Sequence, residues 1–250
     1  MARQREARAK DPVLVCGLPG SGFVGKLGAD QIIGVFHAEK VAEYPRDDFP
    51  PQVNVKEDGT ARPQRAELYL AKTGQAHDLF VFTADAQPAT SQGEYELAEE
   101  VVAFAEKHGV KTVYTLAAYI TGAFPKTPKV YGSGTTKEVL SSISEKGVTL
   151  MRDGGITGMN GLIIGLAALH GLSGACLLGE TSGYVIDAGA SKAVIEVLEK
   201  VIGVSIDTAS LVKKAEETRK LISQLQAMAD QQARETTPTP TRETRPGYIS

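Results

Sequence analysis

The chain has 250 residues, 42% hydrophobic and 23% charged, which is enough for one main domain with a large buried core. A formal net charge of −3 and a pI near 5.9 argue against nucleic acid as a partner, because polyphosphate binders present a basic face. No apolar run approaches the ~20 residues of a bilayer-spanning helix and no apolar signal core opens the chain, so a cytosolic protein without a membrane partner is expected.

Residues 1–11 alternate Arg3, Arg5, Arg8 and Lys10 with Glu6 and Asp11, and are expected to form a disordered tail. An α/β domain is then expected over residues 12–207. Residues 13–16 form a β-rich run that feeds the glycine-rich segment 17–33, giving strand, tight turn and helix in succession, with the helix starting near Phe23. Gly20, Gly22 and Gly25 spell G-x-G-x-x-G, and Glu43 follows Gly25 by 18 residues, but Gly17, Leu18 and Pro19 separate the first of these glycines from the strand. Gly20 to Lys26 also spells G-x-x-x-x-G-K, yet Leu27 follows where a magnesium-holding hydroxyl is required. The segment therefore reads first as helix–strand packing, with phosphate binding at the helix N-terminus as the alternative.

Residues 40–44 continue as a strand, and the proline-rich stretch 45–63 predicts a hairpin excursion between β-like pieces at 52–56 and 67–71. Asp47 and Asp48 beside prolines read as a solvated loop. The run 79–83 is a buried strand, 92–107 an amphipathic helix with Leu97, Val101, Phe104 and Ala105 inward, and 112–117 the next strand. A turn-rich loop at 119–128, a short strand at 130–131 and a helix at 136–146 follow. His37, His77, His108 and His170 each stand alone at no metal spacing, and Cys16 and Cys176 lie in apolar runs as buried thiols, so neither a metal nor a disulfide is expected.

The densest signal is residues 154–171. Met159, Leu162, Ile163, Leu166 and Leu169 recur at helical spacing with apolar neighbours nearly all round, which predicts a buried helix entered through a glycine turn and capped by Gly171. A strand over 175–178 leads to Glu180, Thr181 and Ser182 at its end, then to an amphipathic helix that closes at Gly203. Glu180 and Ser182 at a strand's carboxyl end, with Gly20, Gly22 and Asn160, define a possible switch-point crevice. Ser182 lacks a base at useful spacing and the G-x-S-x-G elbow is absent, so it is not read as a nucleophile. Residues 208–235 form a helical extension with a thin heptad stripe through Leu211, Ala215, Thr218, Ile222, Leu225 and Ala229. Residues 236–250 read as a flexible polar tail carrying Tyr248, Ile249 and Ser250 at its tip.

The segments GLPGSGFVGKLGADQII, GGITGMNGLIIGLAALHG and LLGETSGY and the helix with DAGASKAVIEVL, in this order, resemble the archaeal branch of the proteasome assembly chaperone family, over roughly residues 11–215. That resemblance implies a three-layer αβα fold with a mostly parallel central sheet, like nucleoside phosphorylases and nucleoside hydrolases, in a homo-oligomer without catalysis or cofactor. Tails of some archaeal members bind pockets between proteasome α subunits through a hydrophobic-tyrosine-any motif. Here tyrosine is third from the end, so Ile249 would take the tyrosine slot with Tyr248 as its hydrophobic neighbour. The expected function is an ATP-independent protein that engages the proteasome α ring, or a similar assembly, through several tails. The rival reading is a nucleotide- or nucleoside-binding enzyme using the crevice.

Overall fold

In the computed structural model, which describes residues 3–5 and 7–236, the apolar runs become a nine-stranded sheet with helices on both faces. In chain order the strands are β1 Arg3–Gln4, β2 Val13–Gly17, β3 Glu39–Pro45, β4 Val53–Val55, β5 Ala61–Pro63, β6 Arg65–Ala71, β7 Leu79–Ala84, β8 Thr112–Ile120, β9 Val130–Gly134, β10 Thr149–Leu150 and β11 Ser173–Thr181. The helices are α1 Val24–Val35, α2 Ser91–Lys107, α3 Lys137–Glu145, α4 Met159–Leu169, α5 Ala188–Ile202 and α6 Ala209–Thr236. The large sheet runs β1-β3-β6-β7-β2-β8-β11-β9-β10, while β4 and β5 pair only with each other.

The expected α/β fold holds, with its parallel character concentrated at the centre. β7, β2, β8 and β11 are mutually parallel, whereas β1, β3 and β6 join antiparallel on one side and β9 meets β11 antiparallel on the other. All five residues of β2 and all six of β7 are buried, as strands covered on both faces must be. Leu14 and Cys16 of β2 face a core shared with Leu97 and Phe104 of α2 and Met159 and Ile163 of α4. Val13 and Val15 face the other, shared with Ile32 of α1, Ile143 of α3 and Ile195 and Leu198 of α5. Period-2 alternation along one strand thus feeds two separate cores.

Several expectations are corrected. Residues 1–11 are not uniformly without structure, for Arg3–Gln4 pair antiparallel with β3 and Ala7 and Ala9 pack on the core. The hairpin forms between β4 and β5, and residues 65–71 instead enter the main sheet between β3 and β7. Asp48 is no solvated loop carboxylate: Arg46 donates to both its oxygens and also pairs with Glu96 and Glu100 of α2. α4 buries one side only, leaving Leu169 82% exposed. α6 spans 28 residues, and the chain divides within it into two compact units, residues 1–215 and 216–250. Leu211 and Ala215 belong to the first unit's core.

The approach of α1 to the sheet explains its glycines. A Cβ on Gly25 would lie 2.1 Å from the Leu116 carbonyl oxygen of β8, and one on Gly17 would lie 2.1 Å from the Gly25 carbonyl oxygen. Both contacts are with backbone, which cannot swing aside. Gly25→Ala is therefore expected to destabilise the chain by about 3 kcal/mol, at the upper end of overpacking costs, read as a lower urea midpoint with unchanged slope.

Candidate functional site

The carboxyl ends of the parallel strands border a cleft of about 340 Å³, within the range of small-ligand sites. Leu18 and Gly20 enter it from the turn after β2, Ala117 and Tyr119 from β8, Ile156 from the approach to α4 and Asn160 from its first turn. Gln87, just beyond β7, joins these parts: its Nε2 donates to the Pro19 carbonyl at 2.7 Å, and its Oε1 accepts from the Met159 N–H at 2.9 Å. One amide side chain thereby fixes the β2–α1 turn against the first turn of α4, which has no side-chain cap from its own N-cap residue, Gly158. Gly158 has φ +75°, and a Cβ there would lie 2.9 Å from Gln87 Oε1.

Asn160 is only 8% exposed, and its Oδ1 meets no donor among the described residues. A buried acceptor left unpaired costs about 1–3 kcal/mol. Among the described residues lining the cleft none is charged.

The five crevice residues expected from sequence are not one site. Gly20 and Asn160 line the cleft, whereas Gly22, Glu180 and Ser182 do not. Glu180 turns to the segment before β9, accepting from the Lys129 N–H at 3.1 Å and the Thr121 hydroxyl at 3.4 Å. Ser182 Oγ accepts from the Tyr184 N–H. The Gly22 carbonyl accepts from the Asp187 N–H at 2.9 Å, on the α5 side of the sheet. Asp187 is the residue that organises this second region. Its Oδ1 caps α5 through the Ala190 N–H at 2.9 Å, and its Oδ2 accepts from the buried Thr181 hydroxyl at 2.8 Å. Sequence reading passed over Gln87; its position three residues beyond the end of the fully buried β7 was the available signal. Tyr248, Ile249 and Ser250 lie outside the described residues.

No reactive nucleophile is evident in the cysteines: burial pushes the Cys16 thiol far above its ordinary range and the Cys176 thiol up to about 12. Among the described residues no group of three or more His, Cys, Asp and Glu could hold a metal. Two histidines expected to stand alone have carboxylate partners. His77 Nδ1 lies 3.0 Å from Asp11, and His170, at the end of α4, lies 3.1 Å from Glu106 and 3.0 Å from Glu99 of α2. The hydrogen bond to Glu106, outweighing desolvation and aided by the charge of Glu99, raises the pKa of His170.

The PAC2 family profile matches residues 14–226. An uncharacterized protein of Methanocaldococcus jannaschii is 37% identical over 223 residues, covering 89% of this chain and 86% of its own. Among solved structures, Pyrococcus furiosus PbaB, described as an archaeal proteasome activator, is 30% identical with a TM-score of 0.83, covering 90% of this chain and 98% of its own. Pyrococcus furiosus PbaA, described as an archaeal homolog of proteasome-assembly chaperone, is 27% identical with a TM-score of 0.75, covering 94% and 95%.

Two outcomes follow from this geometry. Asp187→Ala removes a cap and a buried acceptor together, and should lower unfolding free energy by about 2 kcal/mol in urea titration. His170 has a raised folded-state pKa, so its stabilisation is complete below the unfolded value near 6.5 and is lost as pH rises through the folded one. The Tm difference between the wild type and His170→Gln should be largest near about pH 5.5 and vanish by about pH 9.

Proposed function

The chain belongs to the PAC2 family, and from that premise we propose that it is a non-enzymatic, ATP-independent binding protein of the cytosol that engages the proteasome α ring as an assembly-chaperone-like factor. The observation that carries this reading is the whole-body likeness to PbaB, which extends over nearly all of that chain. The likeness to PbaA points to the same class of partner. The local chemistry is consistent with it: Glu180 and Ser182 receive backbone N–H groups that fix turns, a structural use of both side chains.

In this reading the α/β body and the helical extension form a homo-oligomer, and the tails beyond residue 236 make the contact. The tip, Tyr248, Ile249 and Ser250, is the part of the tail that carries large apolar side chains. A single Tyr-Ile tip burying about 200 Å² gains only about 5 kcal/mol before ordering costs. Several tips on one oligomer raise the avidity by about 10²- to 10⁴-fold when their spacing matches a symmetric ring. Deleting residues 247–250 should abolish co-elution with proteasome particles while leaving the oligomer's own elution volume unchanged. Undiminished co-elution of the truncated chain would remove the tail from the account.

A further inference from the structure

The cleft beside α4 has an uncharged lining and an orphaned amide, and both constrain what it could hold. Asn160 lines the cleft, and its Oδ1, which has no donor among the described residues, is covered from solvent in the unliganded cleft, so a ligand reaches it by turning the carboxamide about its Cβ–Cγ bond. The neighbouring amide does not serve it: Gln87 donates to the Pro19 carbonyl and accepts from the Met159 N–H. An ion entering here would give up its hydration without meeting an opposite charge among the described lining residues, a cost that a neutral ligand avoids. The amino ends of α1 and α4 also open on the cleft, yet Gln87 occupies the Met159 N–H and Gly20 the Phe23 N–H, which reduces their pull on an anion. The walls supply apolar surface from Leu18, Met151, Ile156 and Leu178, the flat ring of Tyr119 and the hydroxyl of Thr157.

We propose that this cleft is a binding site for a small uncharged molecule whose N–H, set beside a carbonyl as in a carboxamide or a pyrimidine base, donates to Asn160 Oδ1. The Asn160 carboxamide is itself a donor and an acceptor side by side, so an edge of the same kind can pair with it in two hydrogen bonds. Site and ligand class are independent of the proteasome reading, since no residue of the tail takes part.

The test uses the full chain and five probes, nicotinamide, benzamide and uracil against the carboxylates nicotinate and benzoate, with affinities from ligand-observed NMR titration. At least one of the three neutral probes should bind saturably, and about tenfold or more tighter than either carboxylate. Asn160→Leu should weaken that binding about tenfold or more while Tm holds or rises, because an apolar side chain of similar size replaces an unpaired polar group. Gly20→Val provides an independent check. A Cβ at Gly20 meets nothing within 4 Å and the backbone there is extended, so this variant should fold and bind no probe. The proposal is overturned by no saturable binding of any neutral probe, by equal binding of the carboxylates, or by binding that survives in both variants. A fall in Tm of several degrees in Asn160→Leu would equally overturn it, assigning Asn160 to the fold rather than to a ligand.

Discussion

The rest of the structure depends on the contact of helix backbone with sheet backbone where α1 crosses β2 and β8. With no Cβ at Gly17 or Gly25, the helix settles onto the Leu116 carbonyl, closer than any side chain would permit. To start so close to the sheet, the chain must turn within a few residues, and it does so through two consecutive left-handed residues, Gly22 at φ +62° and Phe23 at φ +52°. Phe23 in that region carries about 1–3 kcal/mol of strain, held in place by the Asp187 N–H on the Gly22 carbonyl. Two of the three glycines that spell a nucleotide fingerprint, Gly22 and Gly25, are thus accounted for by turn geometry and packing.

The same turn decides what faces the cleft. It sends Gly20 to the side of α4 and Gly22 to the side of α5, and each side has its own polar fastener, Gln87 on the first and Asp187 on the second. Away from the buried Asp187, carboxylates are gathered by arginines: Arg46 takes Asp48, Glu96 and Glu100, and Arg62 pairs with Asp85 near the β4–β5 hairpin. Burial alone would raise the Asp85 pKa, but Arg62 and the Arg65 N–H outweigh it and hold the carboxyl below its usual range. The proposed division of labour, macromolecular contact by the tail and a neutral ligand in the body, is compatible with this layout, because the cleft lies wholly within the first compact unit.

Elements whose burial follows from their own residues were legible in the sequence. The buried strands β2, β7 and β11, the amphipathic α2 and α5 and the glycine-flanked α4 all lie where apolar periodicity put them. Pairing was less legible. Nothing local in residues 65–71 tells a hairpin partner of β4 from an antiparallel strand beside β7, since both need the same alternation. The crevice failed for a related reason: proximity to a strand's carboxyl end does not say which face a residue takes. Leu178 turns to the cleft, Thr181 to α5 and Glu180 to the segment before β9, all within four residues. Asp48 was misplaced because the Arg46 guanidinium that holds it is itself fixed by Glu96 and Glu100, which reach it only after α2 packs beside the end of β3.

The central claim, that this body works by joining a larger symmetric assembly, is tested most directly by native mass spectrometry of the full chain mixed with archaeal proteasome core particles. The account predicts a new species whose mass equals the core particle plus a whole oligomer of this chain. Spectra containing only the two separate components, at concentrations well above those of a working chaperone, would contradict it.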